Sequence, residues 1–206
     1  FRLPQSLAEA YKISKNENPD LKIAMLEHMK SVEDVRIAKS DLAPSATLSY
    51  KLAEQDDFSS AVQERKQQTL KATATWPLYS GGNNLSSLKK AKELENKYNL
   101  LYADSKKTVS TSVANAWSSY QSSKSVLNSI RSQVKAAEIA NEGITLEYES
   151  GAGNRTTLEV IQSRSILLNS RIDLATSEKD FLVSRFNVLS AVGRLTAKHL
   201  NLAENN

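Results

Sequence analysis

Residues able to do chemistry are few in this sequence and stand apart. Its two histidines, His28 and His199, are isolated, and neither sits in a metal-binding spacing such as HExxH. There is no cysteine, which excludes thiolate ligands, thiol nucleophiles and disulfides. GxSxG, Walker A and dinucleotide-binding fingerprints do not occur. Gly81-Gly82 precedes a helix, where an anion can settle on free N–H groups. No Lys-Ser/Thr follows it, so the pair reads as a hinge. His28 has acidic neighbours on a helical stretch and reads as solvated, while Trp117 and Tyr120 read as packing residues. No catalytic residue, cofactor or metal site is expected. What remains is charge and wetting. Arg155 and Glu159 stand four apart at a helix start, an ion-pair spacing; Glu159 and Gln162, three apart, share one helix face.

The elements that must position these groups follow from composition and period. With 206 residues there is room for one large domain or two small ones. Charged residues make up 24% and hydrophobic residues 40%, so the chain is not disordered. Only 6 Gly and 4 Pro suit long helices. The net charge of +4 is spread among alternating Lys/Arg and Asp/Glu, as on solvated helix faces, and nucleic acid is not an expected partner. No apolar run approaches the ~20 residues of a membrane-spanning helix. The lack of cysteine fits an envelope protein. The chain opens FRLP without an initiating Met and is expected to be a processed product or a fragment.

Ser6 is placed to cap a first helix, with Glu9 three residues on. Pro19 suits the first position of a second helix running to about Leu42, with Ile23, Leu26, Met29/Lys30, Glu33 and Ile37 as its inward stripe and Pro44 as its stop. Asn83 or Asn84 can cap a third helix, which runs without Pro to about Glu149. Its ~65 residues make a rod of about 100 Å, which must pair along its side. Ala116, Tyr120, Ser123, Leu127, Ile130, Val134, Ala137, Asn141 and Ile144 form a heptad seam on it. After a break at SGAGNRTT, Leu158, Ile161, Ser165, Leu168, Ile172, Ala175, Lys179, Leu182, Phe186 and Leu189 repeat the spacing on a helix ending near Gly193. Two such helices around a glycine-bearing turn predict an antiparallel coiled-coil hairpin. Small Ser and Ala residues on several faces of the long helix predict more than one packed neighbour.

Between the second and third helices the period becomes two. Thr47, Ser49 and Lys51 alternate with Ala46, Leu48, Tyr50 and Leu52. Lys71, Thr73 and Thr75 alternate with Leu70, Ala72, Ala74 and Trp76. Strands over 45–53 and 69–79, joined by the polar segment EQDDFSSAVQERKQQ, predict an antiparallel hairpin. Its apolar face suits either a helix packed on it or lipid, with Tyr50, Trp76 and Tyr79 as interfacial aromatics. In lipid two strands leave open edges, so that reading requires further strands.

The sequence resembles the TolC-type outer-membrane efflux proteins. SLAEAYKISKNENPDLKIA, LAPSATLSY, WPLYSGG, YESGAGNRTTLEVIQSRSILLNSRIDLATSE and SAVGRLTAKHL carry the likeness in order. It implies a mainly α fold: a long helical hairpin of a periplasmic tunnel, plus a two-stranded β-hairpin contributing to an oligomeric outer-membrane β-barrel. The implied parts are residues 1–43 and 81–206 in the tunnel, with a tip turn near 150–156, and 44–80 in the barrel. Family members carry two such repeats, and this chain looks like the C-terminal one. The resemblance implies a homotrimeric exit duct for efflux or type I secretion, with a periplasmic adaptor, an inner-membrane transporter and outer-membrane lipid as partners. Leu48, Tyr50, Leu52, Leu70 and Trp76 would then face lipid, and Thr47, Ser49, Lys51, Lys71, Thr73 and Thr75 the lumen. Tyr148, Arg155, Glu159 and Gln162 would sit at the gated tip, where Glu159 offers a carboxylate ring favouring cations. Gly151 and Gly153 would make the turn that meets the adaptor. The alternative is a soluble coiled-coil adaptor or scaffold whose hairpin packs on its own helices.

Overall fold

The computed structural model describes residues 2–59, 62–151, 153–197 and 199–200. The order is α1 (Leu7–Glu17), α2 (Pro19–Ser40), β1 (Ser45–Ser59), β2 (Val62–Thr75), α3 (Asn83–Ser150) and α4 (Thr157–Val192). The chain divides into two compact units, one of residues 1–23 with 103–206 and one of 24–102.

In the first unit α3 and α4 form the expected antiparallel hairpin. Every residue of the α3 seam, Ala116 through Ile144, is buried or half-buried. The α4 residues that meet it are Val160, Ser163, Leu167, Ser170, Leu174, Ser177, Phe181, Ser184 and Val188, buried or half-buried in 3-4 alternation. Serine recurs at every seventh place. Ser123 and Ser184 hydroxyls lie 2.7 Å apart. Gln133 donates to Ser170 at 3.3 Å, and Ser163 donates to Asn141 at 3.0 Å. Ser163 and Ser184 also have their own carbonyls three residues back within reach, Val160 and Phe181. The hydroxyls of Ser163, Ser170 and Ser184 are thereby satisfied within the seam. Phe181 stacks on Tyr120 with ring centroids 5.8 Å apart, and Trp117 packs against Tyr120, as packing residues should. Arg131–Glu178 and Arg171–Glu138 flank the seam in solvent.

The seam expected on α4 is therefore the wrong stripe. Leu158, Ile161, Leu168, Ile172 and Leu182 are exposed, Leu158 at 61%, and only Phe186 and Leu189 of that row are covered. In the second unit α2 repeats the displacement. Ser31, Val35 and Ala38 are buried, with Ala24 and His28 half-buried, whereas Ile23, Leu26, Met29 and Ile37 are exposed. His28 is not solvated: its ring stacks on Tyr102 of α3 at 6.3 Å, and its Nδ1 is buried without a hydrogen-bond partner. Both errors have one cause. Hydrophobicity ranks stripes by side chain, but close helix approach selects small residues, so the bulkier stripe is the one left bare.

The α1–α2 junction is locked onto the end of α4. Ser6 caps α1 and takes the Glu9 N–H at 3.2 Å. Asn18 breaks the helix, and its side-chain oxygen accepts from the N–H groups of Asp20 and Leu21, capping α2. Its amide donates across to the Ala191 carbonyl at 3.0 Å. Arg194 grips Glu17 with two hydrogen bonds, and the first effect of that grip is to lower the Glu17 pKa. Gly193 ends α4 at φ 82°, and Arg194 N–H closes on the Leu189 carbonyl at 2.8 Å.

In the second unit β1 and β2 pair antiparallel, from Ser45 opposite Thr75 to Ser59 opposite Val62, with an irregularity between Asp56 and Ser59. The polar segment expected as a loop is mostly strand: its sequence has no apolar alternation to betray it. β2 stops at Thr75, ahead of Pro77, which cannot donate to a ladder. α2 ends at Ser40, two residues early. At the start of α3, Gly82 rather than an asparagine precedes the first turn, and the Asn84 amide instead donates to the Asp41 carbonyl at 3.0 Å.

A methyl group at Gly193 would lie 2.7 Å from Asn18 Cα and 2.9 Å from the Glu17 carbonyl oxygen, in a left-handed backbone. Gly193→Ala is expected to destabilise the protein by roughly 1–3 kcal/mol, read as a lowered midpoint in thermal unfolding.

Candidate functional site

Two surfaces carry the sequence-predicted site residues: the β-hairpin and the turn between α3 and α4. On the hairpin the register decides which residues share a face, because directly opposed residues point to the same side. Ala46, Leu48 and Tyr50 stand opposite Ala74, Ala72 and Leu70. Thr47, Ser49 and Lys51 stand opposite Thr73, Lys71 and Thr69. The two strands thus bring the expected apolar set to one face and the expected polar set to the other. Both faces are bare, with Leu48 at 73% and Leu70 at 70% exposed. Leu52 faces Gln68, and one step further Glu54 pairs with Lys66 at 2.6 Å, ending the apolar stretch.

At the other end of that stretch Trp76 lies just past the last rung, and its indole N–H donates to the Leu42 carbonyl at 3.3 Å. Leu78 and Tyr79 follow, each largely exposed. The aromatic positions are therefore at the strand base, outside the ladder, rather than on an extended β2.

The tip turn is tied by its charged residues. Arg155 donates from Nε to Glu147 Oε2 at 2.6 Å and from a guanidinium NH to Glu159 Oε1 at 3.2 Å. Glu159 Oε2 accepts the Thr156 N–H at 2.7 Å, while the Thr156 hydroxyl accepts the Glu159 N–H at 3.3 Å. That is a capping box on α4. Tyr148 and Thr157 hydroxyls meet at 3.1 Å. Three of the four expected tip residues, Tyr148, Arg155 and Glu159, join in this turn; Gln162 is exposed one turn beyond. Gly151 needs its left-handed φ of 63°, whereas Gly153 is not left-handed and a methyl there would meet nothing closer than 3.9 Å. Neighbouring charge raises the Arg155 pKa, first through its bond to Glu147. The Thr156 N–H, then Arg155, pull the Glu159 pKa down. Glu147 was missed in the sequence. Its partner lies eight positions away across the turn, outside helix spacing rules, and only the abundance of acids in TLEYES hinted at it.

Among the described residues no group of three or more His, Asp or Glu could hold a metal, and no helix is long and apolar enough to cross a membrane.

Bare apolar helix stripes, together with a two-faced hairpin whose edges are open, define the fold of a subunit of a TolC-like outer-membrane channel. The chain belongs to the outer membrane efflux protein family, whose model matches residues 10–194. It is 24% identical to the outer membrane efflux protein BepC of Brucella suis biovar 1 (strain 1330), over 97% of this chain and 44% of the relative. It is also 24% identical to the outer membrane protein TolC of Escherichia coli (strain K12), over 98% of this chain and 43% of the relative. The chain spans less than half the length of these curated relatives. The Campylobacter jejuni CmeC outer membrane channel matches with a TM-score of 0.81 at 13% identity, over 96% of this chain and 43% of that one. At that identity the likeness shows the fold. The family resemblance read from the five sequence segments is borne out.

Glu159 binds its partners as a carboxylate, so its folded pKa lies below the ordinary 4.5. Its contribution is present above that value and is lost as the pH falls through the depressed one. Amide protection factors in the first turn of α4 are expected to fall as acidification titrates the Glu159 carboxylate, and Glu159→Gln is expected to flatten that dependence.

Proposed function

We propose that this chain supplies one barrel hairpin and one tunnel hairpin to a homotrimeric outer-membrane exit duct. The duct would serve a tripartite efflux pump or a type I secretion system. Its partners would be a periplasmic adaptor and an inner-membrane transporter. The work is conduction rather than catalysis.

One observation carries the reading: one hairpin face sets Ala46, Leu48, Tyr50, Leu70, Ala72 and Ala74 together, and its large apolar side chains are exposed, with no cover from the described residues. A soluble scaffold would bury that face, and an isolated two-stranded hairpin is marginal in water. Lipid satisfies the apolar face, and neighbouring strands satisfy the open edges. Orientation follows from cost. A lysine on the lipid face of a barrel near the midplane costs about 2–4 kcal/mol. The Lys51 and Lys71 face therefore turns to the lumen, and the Leu48, Tyr50, Leu52 and Leu70 face to lipid. Trp76 would mark the periplasmic interface. The bare stripes of α2 and α4 would be covered by neighbouring copies or by another part of a longer chain.

The tip, with Tyr148, Arg155, Glu159 and Gln162, would be the periplasmic end, and the turn at Gly151 and Gly153 would meet the adaptor. The capping box and Arg155 support a holding role. They weigh against a free Glu159 ring, since that carboxylate is already shared by Arg155 and the Thr156 backbone.

In the full-length protein, a cysteine replacing Leu70 should resist water-soluble maleimides and accept lipid-phase reagents. A cysteine replacing Thr73 should react from water. Equal aqueous labelling at both sites, in a protein fractionating with soluble periplasm, would sink the duct reading. For the tip, Arg155→Gln is expected to raise single-channel conductance of the full-length protein in planar bilayers. Unchanged conductance would reduce the cluster to a staple of the turn.

A further inference from the structure

Lysine is distributed unequally between the two hairpin faces, and the register makes this plain. On the apolar side the one lysine of the described stretch, Lys66, is opposed by Glu54 at 2.6 Å, so the pair is neutral. On the polar side Lys51 stands opposite Thr69 and Lys71 opposite Ser49. The two lysines are thus diagonal neighbours, within reach of each other's field. From Ser45 and Thr75 up to Ala53 and Gln67, that face holds serine, threonine, glutamine, alanine and these two lysines, and no carboxylate. Both lysines are exposed, and neither has an ion-pair partner among the described residues.

We propose that Lys51 and Lys71 make this face an anion-concentrating wall, so that the barrel segment favours anionic over cationic solutes. The inference rests on the duct reading above. Under it the face lines a shared lumen, and each copy of the chain adds the same two charges. Charges of one sign in a water-filled channel with low-dielectric walls raise the local concentration of counter-ions. The flanking hydroxyls of Thr47, Thr69 and Thr73 can donate hydrogen bonds to a passing carboxylate, sulfonate or phosphate without immobilising it. The wall thus acts on selection among solutes, independently of any gate at the tip turn.

Full-length protein in planar bilayers under a potassium chloride gradient gives the ratio of chloride to potassium permeability from the reversal potential. Lys51→Gln with Lys71→Gln is expected to lower that ratio roughly threefold or more, with each single variant giving a smaller fall. Lys51→Glu with Lys71→Glu should lower it further. The differences should shrink in high salt, where the Debye length contracts to about 3 Å at 1 M. Conducting channels whose ratio is the same in wild type and in all four variants would overturn the proposal and leave the duct reading intact. The single variants keep the test alive if a double variant does not assemble. Absence of any conductance from correctly inserted wild-type protein would sink the duct reading itself, and this proposal with it.

Discussion

Close approach of α4 to α3 along a row of serines is the contact on which the helical hairpin depends. A helix of 68 residues has no globular core to lie in and must be held along its side. Ser163, Ser170, Ser177 and Ser184 let the partner come near, and three of them bond to groups on α3. Because serines alternate with Leu167, Leu174 and Phe181 on the inner seam, the row of Leu158, Ile161, Leu168 and Ile172 is turned outward. The hairpin therefore has two sides: one spent on itself, the other exposed. The same division on α2, with Ser31 and Ala38 inside and Leu26 and Ile37 outside, makes it a property of the design rather than of one helix.

The β-hairpin expresses the same incompleteness in another geometry. Its register gathers Ala46, Leu48, Tyr50, Leu70, Ala72 and Ala74 on one face and Thr47, Ser49, Lys51, Thr69, Lys71 and Thr73 on the other. The Glu54–Lys66 pair sits where the apolar face stops. Under the proposed duct reading, an apolar zone bounded at one end by an ion pair and at the other by Trp76 would fit the thickness of a bilayer. Membership of the outer membrane efflux family agrees with this physical reading.

Two local devices hold the ends of the helical hairpin. At one end Arg155 draws together Glu147 and Glu159 across the turn, and the capping box starts α4. At the other, Gly193 allows the last turn of α4 to press against Glu17 and Asn18, where any side chain would collide. Asn18 serves both sides of that joint. Its oxygen caps α2 and its amide reaches Ala191. Both devices combine a cap with a partner from beyond the cap's own turn.

Much of this was legible in the amino-acid order. Helix boundaries at Ser6, Pro19 and Gly193 follow from local capping and backbone chemistry, which acts within a few residues. The period-two alternation around Lys51 and Lys71 and the heptad on α3 are equally local. The limits of legibility are just as physical. Which stripe of α2 or α4 turns inward depends on how near another helix can come, and that distance is set by a surface remote in the chain. Whether EQDDFSSAVQERKQQ is loop or strand depends on its cross-strand partner, since its own residues suit water either way. The pairing of Arg155 with Glu147 depends on the path of the turn between them. The sequence by itself determined the elements, their periods and the family. The tertiary structure alone decided which faces are filled and which are bare, because burial belongs to pairs of surfaces and not to single residues.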